Sequence, residues 1–145
     1  MEQPNDRTTV AQYLYTLSAR QWLMIDAVGA AVSAFLLYVV LPSWQPQHGI
    51  PLPALKLLAR IPVCFVAIDL YGIFIRREHH ATALRFIAVC NLLYCLMSLG
   101  VALYYGQHVR IWGWAYLLGE VAVVYLLARW EFRVAAKTEF PPHRS

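Results

Sequence analysis

Four apolar runs, each about as long as a bilayer is thick, constrain this chain more than any other feature. They extend from about Gln21 to Leu41, Leu55 to Ile75, Thr82 to Tyr105 and Ile111 to Trp130. An α-helix rises about 1.5 Å per residue, so about 20 apolar residues cross the hydrocarbon core. Lipid offers no partners to backbone amides, and each run is therefore expected to be a helix. Connections as short as RREHHA and GQHVR turn the chain straight back, which predicts an all-α integral membrane protein, an antiparallel up-down four-helix bundle. A length of 145 residues would suit a soluble domain, but 60% apolar and 14% charged residues would not.

Three parts follow: an N-terminal arm over 1–20, a transmembrane domain over 21–130 and a tail over 131–145. TTVAQYLYTLSAR in the arm reads either as a short interfacial helix or as a disordered segment. Lys and Arg set the orientation. With the N-terminus inside, Arg7, Arg20, Arg76, Arg77, Arg85, Arg129, Arg133, Lys137 and Arg144 face the cytoplasm, against Lys56, Arg60 and Arg110 outside. That asymmetry predicts both termini in the cytoplasm. The first run is too long for a secretory signal, follows Glu2 and Asp6, and precedes no small-residue cleavage site, so it is read as retained. The basic excess is read as topology and as contact with the lipid bilayer, with no nucleic-acid partner. Trp22, Trp112, Trp114 and Trp130 are read as interface anchors. The loop PSWQPQHGIPLP, rich in proline, is expected to be irregular and to cap one mouth of the bundle.

Polar residues inside the runs carry what functional signal there is. Asp26 and Asp69 lie roughly 10 Å deep from one edge, with Arg85 somewhat shallower, so the three are expected to form one cluster. Asn91 and Glu120 lie near the midplane and form a second layer. Helical periodicity turns these residues inward: Asp26 shares a stripe with Gly29, Ala30 and Ser33, Asn91 with Ala88, Cys95 and Ser98, and Glu120 with Gly113 and Tyr116. Glu120 raises the central question, because a bare charge at that depth is costly. Either it keeps a proton and bonds Asn91 or another helix as interhelical glue, or it lines a polar cavity that binds a ligand or exchanges protons.

Other chemistries find no support. Cys90 and Cys95 lie five residues apart on one helix, on different faces, which excludes the paired thiols of a disulfide enzyme. His48, His79, His80, His108 and His143 fall in expected loops or the tail, and the bland reading is hydrated loop histidine, with no haem and no metal site. No phosphate loop, nucleophile elbow or zinc-protease motif occurs, so neither enzymatic activity nor a cofactor is expected.

The stretches QWLMIDAVGAAVSAFLLYVVLP, RIPVCFVAIDLYGIF and IAVCNLLYCLMSLG, with the Glu-bearing fourth run, resemble a group of small four-span membrane proteins of bacteria to which no activity is attached. The likeness covers about 20 to 133, includes Asp26, Asn91 and Glu120, and implies the fold and a bacterial inner membrane but no role. Two function readings remain. The first is an accessory or structural bundle that binds a membrane-protein partner, lipid or a second copy. The second is a proton-linked carrier or ligand-binding bundle, with Glu120 binding the proton, Asn91 and Tyr116 as its partners, and Asp26, Asp69 and Arg85 at the cytoplasmic entrance.

Overall fold

The computed structural model describes residues 17–75 and 79–139; the arm segment read as either a short helix or a disordered one lies outside them up to Thr16, and its last residues, Ala19 and Arg20, open the first long helix. Every regular element among the described residues is helical. We label them α1 (Ala19–Phe35), α2 (Gln45–His48), α3 (Leu52–Phe74), α4 (His80–Tyr104) and α5 (Ile111–Glu139). With its continuation through Ser43, α1 is one of four helices long and apolar enough to cross a membrane, at 25, 23, 25 and 28 residues.

Local chemistry sets the ends. Ser18 starts α1 through a capping box: its Oγ accepts from the Gln21 amide at 3.3 Å, and the Gln21 side chain accepts from the Ser18 amide at 2.8 Å. Pro42, without an N–H, lies at the far end, where α1 widens into a π-helical stretch, Leu36–Val40. The Ser43 hydroxyl there donates to the Val39 carbonyl at 3.0 Å. The fourth helix runs on to Glu139, so the segment from Glu131, expected to be tail, begins as helix.

Helix α1 packs chiefly on α3, and α4 chiefly on α5, leaving looser seams between the two pairs. Leu37, Leu55, Leu58, Tyr94 and Leu117 belong to one apolar cluster, and Leu23, Ile73, Leu84, Ile87 and Val134 to another. On every long helix the buried acidic or amide residue lies in sequence between members of the two clusters: Asp26, Asp69, Asn91, and Glu120 with Glu131. Outward faces are apolar, with Phe74, Leu96, Leu103 and Ile111 all largely exposed.

Trp22 departs from the anchor role expected of it. It is buried and stacks on Trp130, ring centroids 6.1 Å apart, because the early part of α1 packs against the late part of α5. His48 also departs from the hydrated-loop reading. Its Nδ1 accepts from the Ile50 amide at 3.0 Å, which leaves Nε2 as the donor to the Leu41 carbonyl at 2.7 Å. His80 is buried too, bonding the Ile75 carbonyl at 3.1 Å. Both rings tie helix ends to the backbone. The proline-rich loop is partly ordered as α2, and its His48 carbonyl accepts from the Arg110 amide at 2.9 Å, joining it to the start of α5.

Candidate functional site

Four carboxyls and an amide meet in the interior as two groups. In the first, one side-chain nitrogen, Asn91 Nδ2, donates to Asp26 Oδ1 at 3.0 Å and to Glu131 Oε2 at 3.2 Å, linking α4 to α1 and α5. The Asp26 carboxyl also lies within hydrogen-bonding reach of those of Asp69 and Glu131. Asp69 and Glu131 are fully buried. In the second group, the hydroxyls of Tyr94 and Tyr116 both donate to Glu120 Oε1, at 3.0 and 3.3 Å. The Ser33 hydroxyl lies near the same carboxyl, at a geometry that leaves Glu120 Oε2 without a bond.

A cavity of about 50 Å³ runs between the groups, lined by Asp26, Ser33, Asn91 and Tyr94 together with Gly29 and Pro62. A single water needs roughly 10–15 Å³ of such space and two or more polar partners, so the cavity accommodates water. Phe65 packs edge-on against Tyr94, centroids 6.1 Å apart, and holds that ring in place.

Donors and acceptors do not balance in the first group. Among the described residues no N–H or O–H of another side chain or the backbone satisfies Asp26 Oδ2, Glu131 Oε1 or either oxygen of Asp69. Two carboxyls in contact can share a hydrogen bond only if one of them carries a proton. A hydrogen bond between any two of these three acids would require a proton on one of them. Asp69→Asn supplies an N–H donor toward Asp26 and is expected to raise stability by about 1 kcal/mol, read from reversible denaturation in mixed micelles. A loss of that size would mean that a proton on Asp69 is already the donor.

The sequence expectations meet this geometry unevenly. Tyr116 does bond Glu120, as the shared stripe indicated. Asn91 does not serve Glu120: it belongs to the Asp26 group, and Tyr94, which was not singled out, takes the expected place. The reason is register, since depth counted from loop ends fails when helices overrun the apolar layer by different amounts. The partners of Asp26 are Asn91, Asp69 and Glu131, whereas Arg85 sits half-buried on α4 outside this set of contacts. Glu131 was missed because its helix was ended at Trp130. The missed signal was periodicity: Glu131 follows Glu120 by roughly three helical turns and shares its stripe.

Cys95 donates weakly to the Val121 carbonyl at 3.6 Å, and Cys64, Cys90 and Cys95 are all free. Among the described residues, no group of three His, Cys, Asp or Glu side chains is placed to hold a metal ion. Comparison with protein-family models, with curated proteins and with solved structures finds no match to this chain.

Proposed function

We propose that this chain is a small multi-pass membrane protein whose buried carboxyls take up and release protons in step with carriage of a ligand. The observation behind this reading is the acceptor excess of the Asp26, Asp69 and Glu131 cluster. Helix glue needs matched donors and acceptors, whereas one amide nitrogen bonded to two of three clustered acids leaves acceptors for protons or cavity water to meet. Ionisable groups buried in a membrane mark proton or ion pathways far more often than chance placement would. Glu120, reached through the cavity by way of Ser33 and Tyr94, adds a second proton-binding position.

The membrane setting in this proposal is a bacterial inner membrane, with both termini cytoplasmic and the helices running up and down. Supporting it are four apolar helices of spanning length, apolar outward faces and the excess of Lys and Arg near the termini. The runner-up, an accessory bundle, draws on Gly100 and Gly119, whose exposed positions leave open space for a partner helix.

Infrared titration of the protein in lipid tests the proposal. A protonated-carboxyl band is expected to disappear and return reversibly within the physiological pH range, with separable parts removed by Glu120→Gln and Glu131→Gln. If no carboxyl band changes across that range, the proton reading falls and the accessory reading takes its place.

A further inference from the structure

From the seam between α1 and α5, we infer a lateral binding site for a hydrophobic monovalent cation, an inference that builds on the carrier reading by naming its substrate class. Because this seam is one of the loosely packed ones, a groove of about 460 Å³ lies open along it, walled by Val32, Leu36 and Val123 and floored by Gly119, Tyr116 and Glu120. Its size falls within the range of about 300–1,000 Å³ typical of small-molecule sites.

Charge selects the occupant. Glu120 lines the groove yet is only 9% exposed, and its Oε2 has no bonding partner. Ser33 lines the groove beside it; an acyl chain or an apolar helix seated there brings no charge to compensate a carboxylate at Glu120, whereas a cation does. No Lys or Arg lines the groove.

A second observation extends the site. Tyr116 also lines a pocket of about 290 Å³ at the loop end, where Trp44 and Trp112 stand 65% and 70% exposed beside Val40 and Leu41. Indole faces attract cations through their quadrupole. An organic cation thus meets aromatic faces at the mouth, apolar walls along the groove and one carboxyl at its floor. His48 lines the mouth as well, but both of its ring nitrogens are bonded to backbone groups.

Tetraphenylphosphonium and tetraphenylborate, hydrophobic ions of matched shape and opposite charge, provide the test. Each is dialysed against the full protein in lipid nanodiscs, with protein-free discs as the background. Saturable binding of the phosphonium and none of the borate is expected. Glu120→Gln should weaken binding about tenfold or more. Gly119→Leu, whose Cβ meets nothing within 4 Å, should weaken it comparably without lowering the melting temperature. Equal binding of both ions, or phosphonium binding indifferent to both substitutions, would overturn the site. So would a dimer that Gly119→Leu disrupts in the absence of selective binding, since the groove would then belong to a second copy. The proton reading is scored separately: if the Glu120 infrared band titrates without selective cation binding, only the substrate assignment fails.

Discussion

Asn91→Leu is expected to lower the stability of the bundle by about 3 kcal/mol, seen as an earlier midpoint of denaturation in mixed micelles. Leucine keeps asparagine's branching and heavy-atom count in a larger volume, so a part of the loss is overpacking and the rest reads the amide. That amide reaches Asp26 at 3.0 Å and Glu131 at 3.2 Å, so one substitution strips the donor from two carboxyls on two helices. Each buried acceptor left unmet costs about 1–3 kcal/mol. Ordinary interhelical hydrogen bonds in membranes average only about 0.6 kcal/mol, because the unfolded state in the membrane also finds partners. The two figures separate the possibilities. A loss below about 1 kcal/mol would show that Asp26 and Glu131 pair with each other once Asn91 is gone, and Asn91 would not be the organiser of the cluster.

Gly113→Val is expected to be at least as damaging, by about 3 kcal/mol or more, through sterics alone. A Cβ at Gly113 would run into the His48 carbonyl oxygen and would stand 2.7 Å from Val109 Cγ1. The carbonyl cannot yield cheaply, since it accepts from the Arg110 amide at 2.9 Å and belongs to the segment that His48 pins through both ring nitrogens. Overpacking a tight site costs about 1–3 kcal/mol, and more where backbone must shift. The neighbouring Gly49 has φ of 70° and a similar approach to the His108 carbonyl, so the first loop meets α5 and the residues just before it at a pair of glycines. Retained stability in Gly113→Val, measured by the same denaturation, would mean that the contact between α2 and α5 is soft. By contrast, Gly100→Ala meets nothing within 4 Å and serves as the matched control.

Much of the architecture was legible in the residues because runs long and apolar enough to span a membrane follow simple rules. Runs of apolar length identified the four long helices, and turn-forming connections separated them. The face that each helix buries was also legible: the stripe of Asp26, Gly29, Ala30 and Ser33 lines the cavity, and Ala88, Asn91, Cys95 and Ser98 are all buried. Periodicity is a property of one helix at a time, so one sequence carries it.

What one helix cannot carry is its offset against the next. The placement of Asn91 with Asp26 rather than with Glu120, the burial of Trp22 against Trp130, and the arrival of Glu131 in the acidic cluster all depend on how far each helix slides along its neighbours. Side-chain interdigitation sets that offset, and a slide of about one turn, roughly 5 Å, exchanges every polar partner while leaving each helix internally unchanged. The residues of each run set four helices long and apolar enough to span a membrane and the inward direction of their polar residues; which carboxyl meets which donor is set by packing between helices and is a property of no helix alone.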